Sequence, residues 1–295
     1  RGDPARMASN FAGVQGADDS RNDIVVRGNS PSGVLWRIEG VDLPNPNHFS
    51  VPGTGGGPVA IINNKTLANS DFFTAAFPAE FGNSTAAVFD LKLRNGNQDH
   101  LHGSVQLGFL GTEVLAEGPL SRKKRSSFLI NYRYSTASIF NAVGIDIGTS
   151  AVPKYQDGSF KLFTPTKGGG SLSLWGIGGN SSIDIVVSDQ LAPERNIYGD
   201  NDRDQYFQTA IGMVGLTHTQ PLNTKTYIKT TLAFSRDRQD SNHDYVTRDL
   251  LISGNDTSYT NVKTSALMTY GFVKDRVALA VHANRKLETT KGTAT

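Results

Sequence analysis

The stretch SFLINYRYST, Ser127–Thr136, alternates with a period of two. Successive side chains of a strand point to opposite faces. Phe128, Ile130, Tyr132 and Tyr134 therefore share one side, and Asn131, Arg133 and Ser135 the other. The same grammar recurs downstream. Tyr227–Ser235 sets Ile228, Leu232 and Phe234 against Lys229, Thr231 and Ser235. Arg276–Lys286 sets Val277, Leu279, Val281 and Ala283 against His282, Asn284 and Lys286. Asn261–Phe272 carries Val262, Ala266, Met268, Tyr270 and Phe272 on one face, while Gly170–Gly178 and Tyr206–His218 are strand-like with less clean faces. From about Leu101 onward this template predicts roughly nine strands.

The connections also sort by length. Ser121–Arg125, Pro165–Gly169, Gln220–Thr224 and Val273–Arg276 are short, whereas Ala137–Tyr155, Asn180–Gln205 and Asp237–Ser258 are long and polar. Short turns at one end and long loops at the other mark a transmembrane β-barrel, with the short ends periplasmic and the long loops outside. A soluble β-sandwich also alternates apolar and polar residues, although its loops need not sort by end. On pattern alone both architectures stay open.

Composition narrows the function. The 295 residues suffice for one large domain or two ordinary ones. A formal net charge of +2 gives no basis for nucleic acid as a partner. There is no Cys, so neither a disulfide nor a thiolate metal site can form. No apolar run is long enough for a membrane-spanning helix, but a barrel strand needs only about ten residues with alternate ones apolar. Arg1–Pro4 has no apolar segment behind it, so the chain is expected to start inside a longer protein.

Upstream of residue 98 the grammar is irregular and predicts a small α+β unit. Asp3 as N-cap and Pro4 at the first helical position open a helix within Gly2–Gly13. Asn64–Ala76, with Leu67, Phe72, Phe73 and Phe77, reads as a second helix stopped by Pro78. Ile24–Val26, Val34–Ile38 and Val88–Leu93 read as strands. Gly53–Gly57 has the glycines of a phosphate loop but lacks its Gly-Lys-Ser/Thr ending, and Pro58 removes a donor; a flexible loop is the expectation. Gly168–Gly170 reads as a turn.

No catalytic constellation emerges. His100 and His102 would share a strand face, with no third ligand nearby to make a zinc site. No nucleophile elbow and no selected carboxylate pair is present. Arg122–Arg125 lacks interleaved aromatics and reads as a charged turn near lipid headgroups rather than a nucleic-acid patch. Asp200, Asn201, Asp202, Arg203 and Asp204 place oxygens at alternate positions as calcium prefers, without the Gly and distal Glu of an EF-hand loop, so a solvated external loop is expected. Neither cofactor, metal nor enzymatic activity is predicted.

Several short motifs, in order, carry a resemblance. Val25-Val26-Arg27-Gly28 precedes Arg37-Ile38-Glu39-Gly40-Val41-Asp42-Leu43-Pro44. Phe77-Pro78-Ala79-Glu80-Phe81-Gly82-Asn83 precedes Val88-Phe89-Asp90-Leu91. Glu117-Gly118-Pro119-Leu120, Ser126-Ser127-Phe128-Leu129 and Tyr132-Arg133-Tyr134-Ser135 follow. Together they resemble TonB-dependent outer-membrane receptors of the Bacteroidota type, over residues 1 to about 175. Glu39 stands where that family usually has Asp. The resemblance implies a mainly β fold: a plug domain, residues 1–98, then the first antiparallel strands of a transmembrane barrel, residues 99–295. The family's barrels have 22 strands, so nine make an incomplete barrel and the chain is expected to be an internal piece. The implied activity is import of an extracellular ligand into the periplasm with energy passed through TonB, whose contact segment would lie upstream. Outer-membrane lipid is the surrounding partner. Arg27, Gly28, Glu39 and Gly40 are expected to be structural, with Arg27 buried against a carboxylate. Asn45, Pro46, Asn47, His48 and Phe49, in the loop after Pro44, are the expected ligand contacts, with packing of the plug against the wall as the alternative. A soluble β-rich adhesin and a carbohydrate-active β-sandwich remain the competing readings.

Overall fold

The computed structural model describes residues 3–16, 21–50, 55–108, 111–135, 153–193, 200–254, 256–289 and 292–294. Helix α1, Pro4–Ala8, forms where the capping signal predicts it: the Asp3 carboxylate accepts from the Ala5 and Arg6 amides at 2.9 and 3.3 Å. Strands β1 (Val14–Gly16) and β2 (Ile24–Val26) pair antiparallel. Strands β3 (Val34–Ile38), β4 (Val41–Asp42), β7 (Asp71–Phe73) and β8 (Ala87–Leu91) make a four-stranded sheet ordered β4-β3-β8-β7, in which β3 and β8 are parallel. Strands β5 (Asn47–His48) and β6 (Val59–Ala60) form a separate short pair. Register places Trp36, Phe89 and Phe72 side by side across β3, β8 and β7. Their rings stack at 4.0 and 4.3 Å, so one cross-strand aromatic row anchors this small sheet.

Two sequence expectations fail here. Asn64–Ala76 is not a helix: only Asn64–Thr66 forms a 3-10 turn, capped by the Asn63 side chain, and β7 follows. Phe72 gains more from stacking on Phe89 within a sheet than the mixed apolar spacing offers a helix. Arg27 is not buried. It is exposed in a turn closed by the Asn29 amide donating to Val26 O at 2.9 Å, with φ of 50° at Arg27 and 80° at Gly28. Positive φ at both central positions is what a primed turn requires, and this is the role of Gly28. The buried arginine is Arg37, on β3.

Downstream, ahead of a separate short pair (Leu287–Thr289 with Gly292–Ala294), lies an antiparallel sheet of eight strands in sequence order, against the roughly nine read from the alternation. They are β9 (His102–Leu107), β10 (Thr112–Ser121), β11 (Ser126–Tyr134), β12 (Lys154–Pro165), β13 (Ser171–Ile185), β14 (Arg203–Asn223), β15 (Thr226–Ser253) and β16 (Asp256–Arg285). β9 and β16 do not pair with each other, so the barrel is not closed. β15 and β16 run for 28 and 30 residues. They absorb both the expected loop Asp237–Ser258 and the expected turn Val273–Arg276. Register continues unbroken through Arg236↔Asp275, Asp237↔Lys274 and Arg238↔Val273. Polar residues on both faces looked like a loop because these strands run on past the end of the apolar band. The expected loop Asn180–Gln205 likewise gives its first residues to β13 and its last to β14.

Burial along the wall inverts the usual rule. Ser127, Asn131, Asp157, Lys161, Thr217 and Thr231 are buried, while Ile130, Tyr132, Leu216, Leu232, Val277 and Leu279 are exposed. The plug explains the first set, since it lies on the polar face. Trp175, Ile177, Met213 and Ala233 of the wall share one apolar cluster with Ile38, Val41 and Leu91 of the plug. An exposed apolar belt opposite a plugged polar face is the signature of a wall with lipid on its outside.

Candidate functional site

The plug meets the wall at two levels. The short turns Ser121–Ser126, Pro165–Ser171 and Asn223–Thr226 mark one end of the wall. Toward that end sits the β3–β4 turn, where Ile38 pairs Val41 around Glu39 and Gly40, with φ of 52° and 93°. Glu39 is only 5% exposed. Its carboxylate accepts from the Leu93 amide at 3.0 Å and from Lys161 Nζ of β12 at 2.8 Å, with Lys229 Nζ of β15 at 3.5 Å. Lys161 Nζ also donates to Leu93 O at 2.7 Å, and Thr231 Oγ1 donates to Glu39 O at 3.1 Å. One buried carboxylate thus joins the plug segment just after β8 to two wall strands. Gly40 is suited to this turn by its φ of 93°, a conformation that L side chains rarely adopt, and His282 of β16 packs beside it.

Arg37 extends this level. Its Nη2 donates to Gly40 O at 2.9 Å and lies 3.4 Å from His282 Nε2, and its guanidinium stands 4.8 Å over the Phe81 ring. Glu80 lies 3.6 Å from Arg37 Nη1 and 3.4 Å from His282 Nδ1. The motif had placed this burden on Arg27. Arg37 was missed because an Arg in a strand beside Gly40 carries no sequence mark of burial.

The second level lies toward the long-loop end and contains Asn45–Phe49, which the fold brings together. Asn47 Nδ2 donates to Asn45 Oδ1, and Asn22 Nδ2 to Asn47 Oδ1, both at 2.6 Å. Pro46 O accepts from the Ile61 amide at 2.8 Å. His48, 1% exposed, places Nε2 2.9 Å from Asp157 Oδ2 on β12. A carboxylate only accepts, so Nε2 carries the proton. Arg133 Nε and Nη2 donate to the same oxygen at 2.8 and 2.6 Å, and Arg133 Nη2 also reaches Ala60 O of the plug. Phe49 has φ of 54°, and its amide donates to Ser181 Oγ at 3.0 Å. Gln239 of β15 donates to Ser50 O. Asn47 and His48 are covered by these contacts, and Asn45 and Phe49 are partly exposed.

Two glycines shape this contact. A Cβ at Gly179 would come within 2.8 Å of His48 Cε1, and one at Gly57 within 2.5 Å of His48 O. Gly55 and Gly56 are packed as closely, against Pro31 O and Asp23, so the described part of the Gly-rich segment is tightly packed rather than flexible; Gly53 and Thr54 lie outside the described residues. Burial holds the His48 imidazole below its ordinary 6.5, opposed by the hydrogen bond and charge of Asp157 and aided by the charge of Arg133.

The acidic stretch near Asp200 is committed to internal pairing. Asp204 accepts from the Val187 and Ser188 amides at 2.7 and 2.9 Å and from Ser188 Oγ at 2.7 Å, and Asp202 pairs with Arg203 at 2.7 Å. Among the described residues no three His, Asp or Glu side chains converge on a metal-sized space. His100 and His102 stand with ring centroids 6.4 Å apart.

No protein-family model matches the chain, and no curated protein matches it significantly. Solved structures do. The siderophore receptor PirA from Acinetobacter baumannii matches 98% of this chain and 44% of its own at 14% identity, with a TM-score of 0.60. The outer membrane transporter YddB from Escherichia coli matches 90% of this chain and 40% of its own at 12% identity, TM-score 0.52. A point variant of the ferric enterobactin receptor PfeA from Pseudomonas aeruginosa matches 98% and 44% at 14% identity, TM-score 0.51. The chain spans less than half the length of each. Its fold is that of the TonB-dependent outer-membrane receptors, a plug seated against the polar face of an antiparallel barrel wall.

Proposed function

We propose that the chain is the plug, residues 1–98, and the first part of the barrel, residues 99–295, of a receptor that binds an extracellular ligand and passes it to the periplasm with energy delivered through TonB. The observation that carries this reading is the double tether. A plug held to a lipid-facing wall by buried charge pairs is stable when idle and releasable when pulled, and a soluble adhesin or hydrolase has no use for either property. The ligand arrives from the long-loop side and first meets Asn45 and Phe49, the partly exposed members of their loop. Movement of Phe49 is passed to His48, and so to Asp157 and Arg133 on the wall. The iron chelates for which the neighbouring structures are named are the first ligands to test.

The experiment is uptake by the full-length protein in outer membranes, with and without functional TonB. Ligand accumulation that requires TonB, and binding that does not, is expected. Equal accumulation in both strains overturns the energised reading, and recovery of the protein in the soluble fraction overturns the membrane reading.

A further inference from the structure

The short-turn end of the wall carries charge that neither seating the plug nor passing a ligand uses. Arg122, Lys123, Lys124 and Arg125 fill the β10–β11 turn, Lys167 stands in the β12–β13 turn, and Arg285 and Lys286 lie where β16 ends. All of them are exposed, and none has a carboxylate partner among the described residues; Arg125 Nε donates to the neutral Gln98 Oε1 at 3.0 Å. The first turn is closed by its own bonds. The Arg125 amide donates to Arg122 O at 3.2 Å and the Lys124 amide to Ser121 Oγ at 3.3 Å. Arg125 has φ of 51°, where Gly or Asn is the usual occupant, so a cation is held there at a cost in backbone energy.

The acids nearby do not cancel this charge. Asp99 is exposed in the segment before β9, and Glu288 follows Lys286 in sequence. At the lower contact level, Glu39, Asp42, Asp71, Glu80, Asp90 and Glu117 are matched by Arg37, Lys92, Arg94, Lys161, Lys229 and Arg276 beside them. The cations of the turns therefore face at most two further carboxylates.

Depth identifies the partner. Leu120 and Leu222, the last outward apolar residues of β10 and β14, are 57% and 59% exposed, so the apolar belt runs down to the turns. At about 3.4 Å per residue, Arg122 stands about 7 Å beyond Leu120, where hydrocarbon gives way to headgroups. We propose that this basic rim selects anionic phospholipid of the phosphatidylglycerol class from the periplasmic leaflet. A zwitterionic headgroup carries an ammonium beside its phosphate and gains little from the rim, whereas a headgroup of net negative charge gains from each unpaired Lys or Arg. Successive hairpins are two strand spacings, about 10 Å, apart, so each turn meets its own headgroup. The Arg125–Gln98 bond ties this contact to the segment leading from the plug into β9. The inference rests on the outer-membrane reading above.

The test uses full-length protein in nanodiscs of equimolar phosphatidylglycerol and phosphatidylethanolamine, with the retained lipids counted by native mass spectrometry. Wild type is expected to retain phosphatidylglycerol over phosphatidylethanolamine by about tenfold. The triple variant Arg122→Gln, Lys123→Gln, Lys124→Gln is expected to lose most of that preference, and the charge-preserving Lys123→Arg, Lys124→Arg to keep it. Arg203→Gln with Lys263→Gln, at the long-loop end, is expected to leave it unchanged. Equal retention of the two lipids by wild type overturns the rim, as does a preference that survives in the triple variant or is lost in the long-loop variant. If the wild-type protein is absent from the outer-membrane fraction, the membrane reading itself has failed. If it is present there and shows no preference, only the rim has.

Discussion

Glu39 concentrates more of the plug–wall connection in one side chain than any other described residue. Removing it leaves Lys161 buried beside Leu93 O with no counter-charge. Glu39→Ala is expected to destabilise plug seating by about 3–5 kcal/mol, the cost of stranding one half of a buried pair, read as an earlier plug-release transition in urea with the barrel in detergent. At the outer contact, His48 sets a pH dependence. The imidazole is held below its ordinary 6.5 in the seated plug and regains that value when released, so the released state binds the proton more readily. The contribution is therefore complete above about pH 6.5 and is lost as pH falls below it. Protease protection of the Asn45–Ser50 loop is expected to weaken over that range in wild type and to lose this dependence in His48→Gln. Gly179→Ala places a methyl within 2.8 Å of His48 Cε1 and is expected to cost about 1–3 kcal/mol at the same contact, read by the same protease protection.

At the scale of elements, the plug sheet depends on the row Trp36, Phe89 and Phe72. Phe89 is 3% exposed and stacked on both sides, so Phe89→Ala is expected to cost about 3–5 kcal/mol in plug stability, measured by the same urea transition. The wall strands were legible in the sequence because one face must meet hydrocarbon and the other a polar lumen, which forces the period of two at Phe128–Tyr134 and at Val277–Ala283. Their upper ends were not legible. Past Arg236 on β15 both faces carry polar side chains, the alternation stops, and backbone pairing with β16 extends the strand. The plug elements were legible where a local signal existed, as with Asp3 and Pro4 for α1. They were misread where tertiary stacking decided, as with Phe72. The site was half legible. Asn45–Phe49 could be placed from the turn-rich loop after Pro44. Asp157, Arg133 and Lys161 could not, because their plug partners lie 68 or more positions away in sequence and nothing local marks them.

For the whole molecule, the governing fact is inversion: polar side chains face the plug and apolar ones face outward. Everything proposed about transport and lipid depends on that outward face meeting hydrocarbon. The chain has no Cys, so single cysteines can report on it without background. The decisive measurement places one spin-labelled cysteine at a time at positions 127–134 of the full-length protein in outer membranes and compares accessibility to lipid-soluble oxygen with accessibility to a water-soluble reagent. Labels at Phe128, Ile130, Tyr132 and Tyr134 are expected to favour oxygen, and those at Ser127, Leu129, Asn131 and Arg133 to be shielded from it. An accessibility profile without that alternation, or one in which Ile130 and Tyr132 favour the aqueous reagent, contradicts the account.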